Sequence, residues 1–232
     1  MVTFDHVGHR YVVDGHDVPS VTQRIETAGL LGPAASFYNS VSAERGTRVH
    51  LACLDLDFKR AVTLPDDERG YLDSYDQWRT MVSPAWTSLE QPHYSSAYHT
   101  AGTADRLGTI GGTPVVLDFK TGAPAPWHGL QLAMYDLLYC NVPPQQRRRI
   151  ALYLRQDGRL AQSVEFHAAA DYIHALELMK RTVANGTNSP DNNHAGAGPD
   201  SDLEPEAQPR AVEPNNRARR TRRPRRRPHP RR

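Results

Sequence analysis

The sequence predicts an α/β protein in which a mixed central sheet is flanked by helices. Segments with the apolar patterns of strands occur between segments that have the 3.6-residue apolar period of helices. Their order along the chain is helices, three strands, a helix, two strands and a last helix, and no internal repeat is present. Elements in this order can bury their apolar faces as helical layers against a sheet.

The N-terminal part predicts short strands followed by helices. Residues 3–18 alternate between polar and apolar side chains, which predicts one or two short β-hairpins. Ser20 with Gln23 three residues later has the pattern of a capping box, so we expect a first helix to begin there and to end at Gly32-Pro33. Residues 35–57 are predicted to be helical in two pieces around Gly46.

The remaining elements follow from apolar periodicity. Residues 66–82 predict a third helix whose apolar stripe consists of Tyr71, Leu72, Tyr75 and Trp78. The later predicted elements are strands at about 87–91, 96–107 and 114–120, a helix at 126–140, strands at 149–155 and 160–166, and a helix at 171–183.

A β-hairpin that carries two carboxylates is the most specific local feature. A turn centred on Gly111-Gly112 pairs residues whose numbers add up to 223, so Asp105 and Asp118 oppose each other across the two strands. Lys120 lies one strand period beyond Asp118 and projects to the same face. Facing carboxylates repel each other and need a compensating cation. The hairpin therefore predicts a divalent-metal site with an amine beside it.

The C-terminal part differs in composition. From about residue 185 the chain is polar and rich in Pro, Gly, Asn and acids, and Arg217 to Arg232 contains ten arginines and no acid. Residues 1–184 carry 17 Lys+Arg against 20 Asp+Glu. We therefore predict a domain at 1–184 and a disordered linker with a basic tail at 185–232. The tail is interpreted as an accessory nucleic-acid arm, and a dispensable tail is the alternative.

Cysteine content and hydropathy limit the cellular location and the cofactors that the sequence allows. The two cysteines, Cys53 and Cys140, form no CxxC motif and are too few for a zinc or iron–sulfur site. The sequence contains no signal peptide and no apolar run of the length that crosses a bilayer. We expect a cytoplasmic protein in a reducing compartment, with no membrane partner.

Four short motifs in order resemble the PD-(D/E)XK nuclease superfamily. They are RGTRVH at 45–50, GTAD at 102–105, LDFKTG at 117–122 and QLAMY at 131–135. The pattern is most similar to the RecB-type exonuclease branch of phages and bacteria, in which a histidine takes the place of an acidic residue in the first motif. Ala104 stands where the name-giving pattern has proline. The resemblance implies a restriction-endonuclease-like core, without the iron–sulfur cluster of some relatives.

The resemblance implies a metal site and a catalytic lysine. His50, Asp105 and Asp118 would coordinate Mg²⁺ or Mn²⁺, together with the backbone carbonyl of Phe119. Lys120 would position or deprotonate the attacking water and stabilise charge on the phosphate.

Three further residues are candidates for the same site. Gln131 and Tyr135 are i and i+4 on one helix face, and the resemblance implies that they shape the site and contact DNA. The alternative for this pair is a purely structural role, in which the helix packs Tyr135 into the core. Glu90 is a candidate for supporting the site or for a second metal.

These expectations amount to a metal-dependent DNA exonuclease that leaves a 5′-phosphate and a 3′-hydroxyl. Its expected setting is recombination, repair or degradation of phage or bacterial DNA, with a recombination protein as its expected partner. A structure-specific endonuclease or nickase on the same fold is one alternative. A catalytically silent DNA-binding recombination partner is another.

Overall fold

The computed structural model describes residues 2–5, 10–32, 40–139 and 146–186. The predicted linker and basic tail lie outside the described residues, except for the end of the last helix, so their prediction and the predicted domain boundary remain open. The helices are α1 (Val21–Thr27), α2 (Ser40–Asp57), α3 (Arg69–Val82, preceded by a 3₁₀ turn at Asp66–Glu68), α4 (Trp127–Leu138) and α5 (Ala169–Gly186).

Ten strands form three sheets in the described part of the chain. The strands are β1 (Val2–Asp5), β2 (Arg10–Val13), β3 (His16–Val18), β4 (Ala85–Leu89), β5 (His93–Ser95), β6 (Thr100–Gly102), β7 (Arg106–Ile110), β8 (Thr113–Lys120), β9 (Arg148–Tyr153) and β10 (Gln162–Phe166). The five-stranded central sheet has the order β10-β9-β8-β7-β4. Only β8 and β9 are parallel in it, which confirms the predicted mixed sheet.

Helices cover both faces of the central sheet, as predicted. On one face α1, α4 and α5 pack against the strand residues Leu107, Val116 and Ala151. On the other face α2 and α3 pack against Val115, Leu117, Phe119, Ile150 and Leu152. Because side chains alternate along a strand, Asp118 and Lys120 share the face of Val116 and lie toward α4. The alternation of β8 thus assigns its polar end to the face covered by α4.

The N-terminal segment folds as predicted, into two hairpins and a capped helix. Strands β1, β2 and β3 form an antiparallel sheet. Ser20 accepts a hydrogen bond from the amide of Gln23, and the Gln23 side chain accepts one from the Ser20 amide, so the capping box is present. The helix is shorter than predicted, because it ends at Thr27 and Gly29 then takes a left-handed conformation.

Two sequence predictions are wrong. Helix α2 runs through Gly46 without a break, since one glycine costs a helix interior only about 1 kcal/mol and an 18-residue helix tolerates that cost. The strand predicted at 96–107 is not one strand. His99 has a φ of 46°, so the chain turns back there, and β5 pairs with β6 instead of joining the central sheet.

None of the described helices is long and apolar enough to cross a membrane.

Candidate active site

The β7–β8 hairpin has the register that the sequence predicts. Arg106 pairs with Leu117, and Ile110 pairs with Thr113 across the Gly111-Gly112 turn. Both glycines have positive φ, at 58° and 81°, a conformation that most side chains disfavour. Asp105 immediately precedes β7, and Asp118 lies near the end of β8. The hairpin therefore brings both carboxylates to one end of the sheet.

Helix α2 supplies a cation to the first of these carboxylates. His50 Nδ1 lies 3.2 Å from Asp105 Oδ1, and the amide of Phe119 donates a hydrogen bond of 2.5 Å to Asp105 Oδ2. Burial opposes the charged imidazole, but the Asp105 carboxylate outweighs it and raises the pKa of His50 to about 9. Burial likewise opposes ionisation of Asp105, yet His50 and the Phe119 amide lower the pKa of its carboxyl group. Without a metal, these two groups form an ion pair between a buried carboxylate and a partly buried imidazole, which is 28% exposed.

Glu90 completes a three-residue cluster with His50 and Asp105. One ligand atom from each of them lies within 4.8 Å of the others. Glu90 has a φ of 50°, and its amide donates to the Asp105 carbonyl at 3.1 Å, so the strained backbone at the end of β4 turns it toward Asp105. Burial, followed by the charge of Asp105, raises the pKa of Glu90 to about 8.

This cluster fits a divalent cation. Two carboxylates and an imidazole are within reach of one ion. Burial and then the charge of Asp105 raise the pKa of Glu90, and a positive charge bound there would oppose both effects. A metal ligand must be deprotonated, so binding of a cation would displace the proton held by His50. The sequence makes Glu90 a candidate for supporting the site or for a second metal, and the structure places it in one cluster with His50 and Asp105.

The second aspartate, Asp118, forms an ion pair with Lys120 and is not part of the three-residue cluster. Lys120 Nζ is 2.6 Å from Asp118 Oδ2, a buried atom without a well-directed hydrogen bond from any described residue. Burial raises the pKa of Asp118, and Asp105 adds to this while Lys120 opposes it. Each of the two facing aspartates thus has its own cation. Coordination of a metal by Asp118 and by the Phe119 carbonyl stays a prediction.

Helix α4 holds the lysine from its other side. Lys120 Nζ donates a 2.7 Å hydrogen bond to Gln131 Oε1. Gln131 Nε2 in turn lies 3.3 Å from Thr22 Oγ1 and 3.3 Å from the hydroxyl of Tyr135. The ammonium thus donates one hydrogen bond to Gln131, forms an ion pair with Asp118 and lies 5.0 Å from the ring centroid of Trp127. Tyr135 is buried behind Gln131, so within this structure it supports the glutamine and not the lysine itself.

Arg106 closes the site from the opposite face of the hairpin. Its fully buried guanidinium donates to Asp57 Oδ2 at 2.8 Å, to Glu90 Oε1 at 3.2 Å and to the Asp105 carbonyl at 2.7 Å. It also lies 4.7 Å from the ring centroid of Phe119. Strand alternation predicts the opposite face for Arg106, but no pattern in the sequence indicates that it reaches Glu90.

A cleft of about 530 Å³ opens beside Lys120. One wall is α2 and the other is the segment that follows β8. Its lining residues are Ser42, Ala43, Arg45, Gly46, Thr47, His50, Phe119, Lys120, Thr121, Gly122, Ala123, Pro124, Ala125, Trp127 and His128. No carboxylate is among these residues, although acids outnumber bases in residues 1–184. The lining of the cleft therefore does not repel a negatively charged group.

The fold and the site define a metal-dependent nuclease, and comparison with known families agrees. The sequence matches the PD-(D/E)XK nuclease superfamily over residues 35–202, and the chain belongs to this superfamily. Its members cleave nucleic acid with divalent metals, and DNA is the substrate that the nuclease fold implies.

Comparisons with individual proteins are less informative than the family match. No curated protein matches the sequence. Among solved structures, one described as "Crystal structure of SSO0001" is similar at 16% identity and a TM-score of 0.41, over 75% of this chain and 78% of that one.

Proposed function

We propose that this protein is a DNA exonuclease of the RecB-type branch, which uses Mg²⁺ or Mn²⁺ and leaves a 5′-phosphate and a 3′-hydroxyl. The observation that carries the proposal is the position of Lys120, held between Asp118 and Gln131 next to the His50–Glu90–Asp105 cluster. Membership of the superfamily supports hydrolysis of a phosphodiester. The RGTRVH motif, which places His50 on α2 beside Asp105, supports the RecB-type branch.

The residues present divide the chemistry between them. His50, Glu90 and Asp105 would hold the ion, and Asp118 would join them once a cation competes with Lys120 for its carboxylate. A bound divalent ion activates water and neutralises charge on the phosphate. Lys120 lines the cleft, where its ammonium would donate to a phosphate oxygen or handle a proton of the attacking water. Gln131 keeps the ammonium in that position.

The basic tail and the biological setting belong to the proposal as well. Arg217 to Arg232 would act as an accessory arm that binds DNA phosphates, so removal of residues 210–232 should weaken DNA binding and flatten its dependence on salt. Unchanged affinity at low salt would count against such an arm. We place the activity in the recombination, repair or degradation of bacterial or phage DNA, with a recombination protein as the proposed partner.

The test uses end-labelled linear DNA and covalently closed circular DNA, each single- and double-stranded, with Mg²⁺ or Mn²⁺. An exonuclease degrades the linear substrates and spares the closed circles, and its products carry a 5′-phosphate. Rapid cutting of closed circles would instead establish the endonuclease alternative.

A matched pair of lysine variants tests the chemistry. Lys120→Ala should lower the rate by about 10²–10⁴-fold, the range for a positioned group that moves a proton. Lys180 is exposed on α5, so Lys180→Ala should keep the full rate. Equal rates for the two variants would refute the catalytic role of Lys120. If the unaltered protein degrades no DNA, the silent DNA-binding alternative is left.

A further inference from the structure

We propose that Tyr139 is a positioning residue for the metal cluster, and that its hydroxyl group fixes the spacing between Glu90 and Asp105. Tyr139 follows the last residue of α4 and lies four residues beyond Tyr135 of the QLAMY motif, so none of the four motifs contains it. The inference rests on the metal site of the proposed function and adds a residue that sets the affinity of that site for its ion.

The hydroxyl of Tyr139 links the two chain segments that carry the carboxylates of the cluster. It accepts a hydrogen bond from the amide of Ala104 at 3.3 Å and donates one to the carbonyl of Gln91 at 2.9 Å. Ala104 immediately precedes Asp105, and Gln91 immediately follows Glu90. A phenol accepts and donates at the same time, so both bonds form together. A single side chain from outside the two segments therefore joins them.

This hydroxyl lies at the point where the small β5–β6 sheet opens. The register of that sheet pairs His93 with Gly102, and two residues further along it would place Gln91 opposite Ala104. The amide of Ala104 and the carbonyl of Gln91 do not bond to each other there, because both bond to the hydroxyl between them. The phenol of Tyr139 thus acts as a spacer as well as a link.

The backbone of Glu90 depends on such support. Its φ of 50° is a left-handed conformation, which residues other than glycine adopt mainly where the surrounding structure fixes them. The Glu90 amide donates to the Asp105 carbonyl at 3.1 Å, which holds the chain on one side of this conformation. On the other side, the carbonyl of Gln91 accepts from Tyr139. The hydroxyl therefore helps to keep the Glu90 side chain turned toward Asp105.

Tyr139 is itself held firmly in place. It is 7% exposed, and its ring stacks on that of His93 with the centroids 4.7 Å apart. Its amide donates to the Tyr135 carbonyl at 3.3 Å, at the end of α4. A buried and stacked ring keeps its hydroxyl in one position. Helix α4 and the residue after it thus support the site twice, since Gln131 holds Lys120 and Tyr139 holds the carboxylate segments.

The variant Tyr139→Phe keeps the ring and its packing but removes the hydroxyl. The Ala104 amide and the Gln91 carbonyl then lose their partner or move toward each other. Either result changes the distance between the two carboxylates of the cluster. We expect the Kd for Mn²⁺, measured by calorimetry, to rise by about tenfold or more, the range for residues that support metal ligands.

A matched control removes a buried hydroxyl elsewhere. The Tyr172 hydroxyl on α5 donates to Asp136 of α4, so Tyr172→Phe loses a comparable hydrogen bond between two helices that carry no residue of the cluster. It should bind Mn²⁺ like the unaltered protein. Melting curves in chelator should show that both variants are folded. Equal weakening of Mn²⁺ binding in the two variants would indicate general loosening and overturn the proposal.

A double variant separates positioning from general stability. Glu90→Gln removes the charge that Tyr139 positions, so Tyr139→Phe should weaken Mn²⁺ binding much less in that background. The Kd of the double variant should lie within about twofold of the Kd of Glu90→Gln alone. If the two effects multiply instead, Tyr139 acts independently of Glu90 and the proposal is wrong.

Failure of the proposed function gives a different result. If the protein binds Mn²⁺ with the expected dependence on Tyr139 but degrades no DNA, the nuclease assignment fails and the positioning role stands. If Tyr139→Phe binds Mn²⁺ as tightly as the unaltered protein, or if the unaltered protein binds no Mn²⁺, the positioning role is overturned.

Discussion

Lys120 Nζ donates a hydrogen bond to Gln131 Oε1 at 2.7 Å, across the gap between β8 and α4. The same ammonium lies 2.6 Å from Asp118, so a neutral amide and a carboxylate hold it between them. An amide oxygen orients the lysine without adding charge. The pair therefore links the helix-borne QLAMY motif to the strand-borne lysine, and it explains why the two motifs occur together in this chain.

Replacing Gln131 should impair turnover without loss of the metal. Gln131→Leu has a similar volume but removes the acceptor, so Lys120 retains the ion pair with Asp118 and the ring of Trp127 but loses its hydrogen bond to helix α4. We expect a fall in kcat of about 10–100-fold, the range for residues that orient a reactive group. Affinity for Mn²⁺, measured by calorimetry, should be unchanged. As the control, Thr22→Val removes only the hydrogen bond between Gln131 and Thr22 and should lower kcat less. Full activity of Gln131→Leu would show that Gln131 has a packing role and does not orient Lys120.

The hairpin shows how much of the site the sequence determines. Gly111-Gly112 fixes the turn, the turn fixes the register, and the register brings Asp105 and Asp118 to one end of the sheet. These are local effects within 14 residues. The capping box at Ser20 is local in the same way, and it was predicted correctly.

Contacts between distant segments could not be predicted in this way. Glu90 reaches the cluster because a left-handed backbone at the end of β4 turns it inward, and no residue pattern marks that conformation. His99 similarly turns β5 away from the central sheet. Strand alternation predicts the correct face for Arg106, but its hydrogen bond to Glu90 depends on where β4 pairs with β7.

The contribution of Glu90 to the metal site can be measured directly. Glu90→Gln removes a charge from the cluster, so we expect the dissociation constant for Mn²⁺ to rise by about tenfold or more. Glu26 is exposed on α1, and Glu26→Gln should bind Mn²⁺ normally. A different result would place the ion elsewhere: if Asp118→Asn loses the metal and Glu90→Gln retains it, the ion lies between Asp105 and Asp118.

Removal of Arg106 should destabilise the fold strongly. Arg106→Met leaves the carboxylate of Asp57, 3% exposed, without its closest cation and also removes the bond to Glu90. Loss of one partner of a buried ion pair costs about 3–5 kcal/mol of the free energy of unfolding, measurable by urea denaturation. Addition of Asp57→Asn should recover part of this loss, because the unpaired charge is then gone.

A surface pair provides the contrast for Arg106. Arg155 and Asp157 lie 3.1 Å apart but are each more than a third exposed, so Arg155→Met should change the stability little. If Arg106→Met and Arg155→Met lower the free energy of unfolding equally, the buried network contributes no more to stability than the surface pair.

His128 should make the fold sensitive to acid. The amide of Ala125 donates to His128 Nδ1 at 3.3 Å, so this nitrogen is an acceptor and the proton of the neutral ring is on Nε2. The hydroxyl of Tyr153 lies 2.7 Å from the same Nδ1. Burial, with the nearby charge of Lys120 as the second cause, lowers the pKa of His128 to about 3.

The unfolded chain therefore binds a proton at His128 between pH 6.5 and pH 3 that the folded chain does not bind. Stability contributed by the neutral histidine is fully present above pH 6.5 and falls as the pH decreases toward 3. Between pH 7 and pH 5 we expect a loss of roughly 1–2 kcal/mol from this group. His128→Asn keeps an acceptor near the position of Nδ1 but does not titrate, so its urea midpoint should fall less over the same range. His174 is exposed on α5, and His174→Asn should keep the full pH dependence; parallel curves for all three proteins would show that His128 is protonated alike in both states.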